Sequence, residues 1–143
     1  MDLFSQVGTG ALVIDVVLPT YNCSEYLEEQ VASIAAQTLK PLRLLIRDDG
    51  SKQCTLNLIK RLEKEYRPWI VLIESTGNIG CTANVNELLR FTDAPYIALA
   101  DQDDIWLPNK LLNSFTLLRT IERVNGSIVP ALVHSDLHLT DQH

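Results

Sequence analysis

The sequence predicts an α/β layer domain built on a mainly parallel sheet. Short aliphatic and β-branched runs alternate along the chain with segments whose apolar residues recur at helical spacing. The runs are nearly continuous in their hydrophobicity, which suits strands covered on both faces. Polar turns follow three of these runs, at the carboxyl ends of strands, where open α/β sheets bind ligands.

The elements follow in order. Residues 11–18 (ALVIDVVL) read as the first strand, and Pro19 stops it because proline donates no ladder hydrogen bond. Ser24 is the expected N-cap of a helix over 26–37, with Leu27, Val31, Ile34 and Ala35 on one face. Lys40-Pro41 ends that helix, and residues 42–46 form a second strand. This strand runs into Arg47-Asp48-Asp49-Gly50-Ser51, a turn by its Asp and Gly content. Residues 55–66 form a second helix, with Leu58, Ile59 and Leu62 inward and Lys60, Glu63 and Lys64 outward. A third strand over 69–73 precedes the Gly/Asn turn Thr76-Gly77-Asn78-Ile79-Gly80 and a third helix over 83–91. The fourth strand, 96–100, ends at Asp101. Pro108 sits near the first turn of a helix running to about Arg123, closed by Asn125-Gly126. Residues 131–134 are a last strand candidate. The order β-α-β-α-β-α-β-α-β implies right-handed crossovers. A single domain over 11–143 is expected, with 1–10 as an N-terminal tail.

Composition narrows the function. A chain of 143 residues with 46% hydrophobic content suits one core, and 21% charged residues is too ordinary for disorder. The formal net charge is -6, and no cluster of Lys and Arg offers a footprint for nucleic acid. A phosphate ligand would therefore need a positive group beside it, and a divalent cation held by carboxylates supplies one. Cys23, Cys54 and Cys81 are odd in number and widely spaced. They suit free thiols in a reducing compartment better than zinc or a disulfide scaffold. No apolar run approaches the ~18–20 residues that span a bilayer, and residues 1–10 lack the basic start of a secretory signal. A cytoplasmic location is expected, with peripheral docking at the inner membrane face left open. A homodimer is left open too.

The chemistry is expected in Pro19-Thr20-Tyr21-Asn22, Asp48-Asp49-Gly50-Ser51 and Asp101-Gln102-Asp103-Asp104, which a parallel sheet brings to one rim. Asp101, Asp103 and Asp104 crowd three carboxylates into four residues. A hard cation, Mg2+ or Mn2+, relieves that repulsion and bridges the phosphates of a diphosphate. Spacing alone leans towards a solvated acidic turn capping the next helix. Asp48-Asp49 is either a tight turn or a carboxylate accepting from a pyrimidine N–H, with Tyr21 stacked on that ring. An aromatic beside a strand is otherwise core. Asn78 and Gly80 present backbone near a helix start, which favours phosphate, or form an ordinary turn. Gly8-Thr9-Gly10 precedes a strand and is no dinucleotide fingerprint. His134, Asp136 and His138 alternate, but incidental placement is preferred to zinc.

The motifs in order resemble family 2 glycosyltransferases. Asp15 to Asn22 (DVVLPTYN) resembles their opening strand and loop, and Ser33 to Thr38 (SIAAQT) the helix end that follows. Asp48-Asp49-Gly50-Ser51, Asn78-Ile79-Gly80 and Ala100-Asp101-Gln102-Asp103-Asp104 then stand in the family's order, so that the likeness covers roughly residues 12–138. It implies a GT-A fold, a Rossmann-like α/β/α sandwich, here truncated at the C-terminus, and a nucleoside-diphosphate sugar donor. It implies that Pro19, Tyr21 and Asp49 hold the base, with Asp48 beside it. Asp101 and Asp103 fall on the DxD motif, with Asp103 the nearer metal ligand. The string Asp101 to Trp106 (DQDDIW) is similar to rhamnosyltransferases and O-antigen or capsule glycosyltransferases, which implies dTDP-rhamnose or a UDP-sugar and a saccharide or lipid-linked saccharide acceptor. The expected reaction is inverting transfer in cell-surface polysaccharide synthesis.

Two departures bear on this. Many members place an Arg or Lys after the NxG element, and Cys81-Thr82-Ala83-Asn84 has none. The family's catalytic base lies beyond the position of His143, so a fragment is expected. The alternative is a non-catalytic nucleotide-sugar-binding fragment. A nucleotidyltransferase would need a Gly-rich basic loop in place of Pro19-Thr20-Tyr21-Asn22, and a receiver-like domain an Asp where Glu74-Ser75 stands.

Overall fold

The computed structural model describes residues 14–23, 25–126, 129–136 and 138. The expected tail at 1–10 and the proposed cap Ser24 lie outside the described residues. The elements are β1 (Ile14–Thr20), α1 (Leu27–Ala35), β2 (Arg43–Asp48), α2 (Gln53–Glu65), β3 (Ile70–Leu72), α3 (Cys81–Arg90), β4 (Tyr96–Leu99) and α4 (Lys110–Asn125). The four strands form one sheet of order β3-β2-β1-β4, every pair parallel.

That order decides where the helices go. The chain steps outward from β1 to β2 to β3, then returns to the other side of β1 with β4. Right-handed crossovers in opposite directions place their helices on opposite faces. Accordingly, Leu27, Val31 and Ile34 of α1 and Ile59 and Leu62 of α2 pack on Val16, Leu18, Leu44 and Ile46. On the other face Leu88 of α3 packs on Val17 and Leu45. Leu111 of α4 joins the first cluster, and the Tyr96 and Phe115 rings meet edge to face at 5.0 Å. Between β1 and β4 the direction of winding reverses, and such switch points open a crevice at the carboxyl ends of the strands.

Two expectations are corrected. Pro19 does not stop the first strand: β1 continues to Thr20, with Pro19 opposite Arg47 and Thr20 opposite Asp48. Odd-numbered residues of β1 point their backbone groups towards β4, as the Ala100 N–H bond to the Val17 carbonyl shows (3.0 Å). The β1–β4 ladder ends at Val17. The donor that Pro19 lacks therefore faces a gap, and the strand survives on its β2 side. Residues 131–134 form no strand; Leu132 is 83% exposed, and an apolar run without a ladder partner stays irregular.

The near-continuous hydrophobicity of β1 conceals one fully buried charge. Asp15 accepts two bonds from its register neighbour Arg43 (3.0 and 2.6 Å) and one from the Thr92 hydroxyl (2.6 Å). The hydrogen bond to Asp15 foremost holds the Arg43 guanidinium above its ordinary pKa. This network fastens the amino end of β1 to β2 and to the turn before β4, away from the crevice.

Candidate functional site

A cleft of about 380 Å³ opens at the switch point. Pro19, Thr20 and Tyr21 from the end of β1 and Asp49 from the turn after β2 form part of its wall. Asn78 and Gly80 before α3, and Asp101, Gln102 and Asp103 after β4, complete the expected set. Cys81 and Asn84 of α3 also line it. Tyr21 is half-exposed at the rim, so its ring is free of the core. A larger groove of about 510 Å³ runs along the outer edge of β3 beside the Glu63–Arg67 ion pair. It lacks the convergence of strand ends that defines the cleft.

Asn22 and Asp48 do not line the cleft; the Asn22 amide oxygen and the Asp48 carboxylate bind the turns behind it. Asp48 accepts from the backbone N–H groups of Gly50 (3.0 Å) and Ser51 (2.7 Å), and from the hydroxyls of Thr20 (3.1 Å) and Ser51. Asn22, at φ 51, accepts from the Lys52 N–H (2.9 Å) and donates its own N–H to the Ser51 hydroxyl (2.8 Å). Gly50 is required at its place: its φ is +82, and a Cβ there would stand 3.1 Å from the Asn78 nitrogen.

Asp49 is almost fully buried. Its two oxygens accept from the Ile79 (2.8 Å) and Gly80 (2.9 Å) N–H groups, so it fastens the 78–80 loop to the end of β2. Each carboxylate oxygen has a second acceptor site, and Asp49 still reaches the cleft wall. Arg47, equally buried, lies 3.5 Å from Asp49 and donates to the Asn84 side chain (2.8 Å). Asn84 returns a bond to the Arg47 carbonyl (3.1 Å). Gly80, at φ 85, caps α3, whose first turn faces the cleft. Sequence reasoning missed Arg47 and Asn84. The available signal was an arginine at the end of an aliphatic run, where burial demands partners.

The 101–106 segment is held from below by α1 and by Gln37 just past its end. The Ser33 hydroxyl accepts from the Trp106 N–H (3.0 Å). The fully buried Gln37 amide donates to the Leu107 carbonyl (2.8 Å) and accepts from the Leu111 N–H (3.0 Å). Lys110 lies 4.8 Å from the centroid of the Trp106 ring. With its frame fixed, the segment presents Asp101 and Asp103 to solvent at the cleft. Asp104 is partly buried; desolvation first, then Asp101, raises its pKa above the ordinary carboxylate value. Burial likewise pushes the Cys23 thiol up to about 11. No three His, Cys, Asp or Glu side chains converge as a metal cage among the described residues. This applies equally to His134, Asp136 and His138.

The sequence profile of Glycosyl transferase family 2 matches residues 15–136. The chain belongs to this family. The UDP-Glc:alpha-D-GlcNAc-diphosphoundecaprenol beta-1,3-glucosyltransferase WfaP of Escherichia coli is 28% identical over 128 residues, 90% of this chain and 49% of that protein. The dTDP-rhamnosyl transferase RfbG of Shigella flexneri is 32% identical over 106 residues, 71% of this chain and 36% of that protein. Among solved structures, the mannosyltransferase PcManGT from Pyrobaculum calidifontis, in complex with GDP-Man and Mn2+, superposes with a TM-score of 0.67 at 24% identity. That match covers 73% of this chain and 32% of the mannosyltransferase chain. S. aureus TarS 1-349 in complex with UDP-GlcNAc gives a TM-score of 0.64 at 22% identity, over 75% of this chain and 31% of the other. The fold is therefore GT-A. This family 2 chain spans about half or less of the length of these relatives. No helix among its described residues is long and apolar enough to cross a membrane.

Proposed function

We propose that this chain is the donor-binding part of a glycosyltransferase. It takes a nucleoside-diphosphate sugar, dTDP-rhamnose or a UDP-sugar, for inverting transfer to a saccharide or lipid-linked saccharide in cell-surface polysaccharide synthesis. The observation that carries the proposal is the switch-point cleft, whose β1–β2 side offers an accessible aromatic ring and a carboxylate, and whose β4 side offers two carboxylates. A pyrimidine stacks on Tyr21 and donates its ring N–H to the second acceptor site of an Asp49 oxygen. The diphosphate then lies towards the start of α3, where the first turn, from Cys81, presents backbone N–H groups.

The donor set fits Mg2+ or Mn2+. Two exposed carboxylates make too few ligands for a closed protein site, and suit a cation that completes its shell with substrate phosphates and water. Bound there, the cation offsets the negative charge of the diphosphate as it leaves. The relatives support the donor class. WfaP is named for UDP-Glc and a diphosphoundecaprenol acceptor, RfbG for dTDP-rhamnosyl transfer. With an acceptor of that kind the protein would work at the inner membrane face.

Calorimetric titration with UDP, dTDP and GDP, with and without Mn2+, tests the proposal. Binding that Mn2+ strengthens and that Asp103→Ala weakens supports it. Absence of binding, or binding indifferent to both, rejects it. The alternative is nucleotide-sugar binding without catalysis. Sugar transfer by the chain alone rejects that alternative.

A further inference from the structure

We infer that Gln102 is a positioning residue that couples cation binding to nucleotide binding. Its side-chain amide forms a two-bond pair with the Tyr21 peptide. The inference rests on the donor-site proposal above. The Tyr21 N–H donates to Gln102 Oε1 at 2.7 Å, and Gln102 Nε2 donates to the Tyr21 carbonyl at 3.1 Å. The pair lies just past the place where the main-chain ladder between β1 and β4 ends, at the Ala100 N–H bond to Val17. A side chain thus continues the work of the sheet across the mouth of the cleft.

The orientation of the amide is settled by its partners. The Tyr21 N–H needs an acceptor and the Tyr21 carbonyl needs a donor. Among carboxylates and amides, only a primary amide offers both side by side. Glutamate would set a second acceptor against the carbonyl, and asparagine is one methylene short. The acceptor and one donor of Gln102 are therefore already engaged, and its effect on a ligand passes mainly through Tyr21.

The consequence follows from chain connectivity. Gln102 stands between Asp101 and Asp103, so a cation that draws those carboxylates inward also fixes the Gln102 backbone. The amide pair transmits that fixation to the Tyr21 peptide, and so to the ring at the cleft rim. Ordering Tyr21 by a stacked base acts in the opposite direction on the carboxylates. Such coupling is reciprocal by thermodynamic linkage.

The test compares the ratio of the UDP dissociation constants without and with Mn2+ in the wild-type chain, Gln102→Glu and Gln102→Ala, each first checked by thermal unfolding. The expected result is a fall in that ratio of roughly tenfold in both variants, the scale of one or two lost hydrogen bonds. UDP affinity without metal should change much less. A merely structural role would weaken both states alike. Variants that keep the wild-type ratio overturn the inference and leave the donor-site proposal standing. A wild-type chain that binds none of UDP, dTDP and GDP overturns that proposal, and the inference with it. Amide hydrogen exchange in the wild-type chain gives a check independent of any variant. Tyr21 N–H should be protected and gain protection with Mn2+ and UDP; fast exchange in both states overturns the inference.

Discussion

Replacing Asp49 by asparagine keeps the shape of the side chain and removes its charge and one acceptor. In the native chain both Asp49 oxygens accept backbone N–H groups, from Ile79 and Gly80, and Arg47 lies 3.5 Å away. The amide of an asparagine satisfies one of those N–H groups and opposes the other. A buried donor left unmatched costs about 1–3 kcal/mol. Arg47 is only 4% exposed and loses its counter-charge; removing one partner of a buried ion pair costs about 3–5 kcal/mol. The two penalties overlap, so a net loss of about 4 kcal/mol is expected for Asp49→Asn. That is a large part of the roughly 5–15 kcal/mol that stabilises a domain. With a urea slope of about 2 kcal/mol per molar, the unfolding midpoint should fall by about 2 M. Trp69 and Trp106 fluorescence reports the transition. The double variant Asp49→Asn/Arg47→Met should lose less than the sum of the two single variants, because it leaves no lone buried charge. A midpoint shift below about 0.5 M, or strict additivity in the double variant, would refute the reasoning.

Other consequences are as direct. Asp15→Ala removes two hydrogen bonds from Arg43, which keeps its bond to Asp93, and one from the Thr92 hydroxyl, and should cost about 2–4 kcal/mol in denaturant unfolding. Because it acts at the amino end of β1, nucleotide affinity of the folded fraction should stay unchanged. The cysteines should differ in alkylation rate: Cys54 and Cys81 are exposed and Cys23 is buried. Burial disfavours the Cys23 thiolate and lifts its pKa to about 11, so its reaction should start only as pH nears that value. Peptide mass mapping across pH 7–10 reads this out. UDP with Mn2+ should protect Cys81, which lines the cleft, and leave Cys54 unprotected.

The sheet and its helices were legible because their signals are local. Leu27, Val31 and Ile34 announce the buried stripe of α1, and the aliphatic runs mark β1 and β2. Pro19 misled because the rule against proline in strands concerns the side on which its missing donor faces, and only the partner strand decides that. Residues 131–134 misled for the related reason that an apolar run does not name a ladder partner. At the site, the convergence of Tyr21, Asp49, Asp101 and Asp103 followed from parallel topology alone. The division of labour within each motif did not. Asp48 and Asp49 are neighbours of one type, yet strand alternation sends the first into the turn and the second to the 78–80 loop. Gln102 gave no sign of its hold on Tyr21, since the contact joins residues 81 positions apart.

The central claim is that one cleft holds a nucleoside diphosphate and a divalent cation between Tyr21 and the Asp101–Asp103 segment. The most direct measurement is a crystal structure of the chain with UDP and Mn2+, with anomalous diffraction locating the manganese. The account predicts an anomalous peak shared by the Asp103 carboxylate and the diphosphate, with the base stacked on Tyr21 and its ring N–H directed at Asp49. Manganese remote from residues 101–103, or a nucleotide bound outside the β1–β4 cleft, would contradict it.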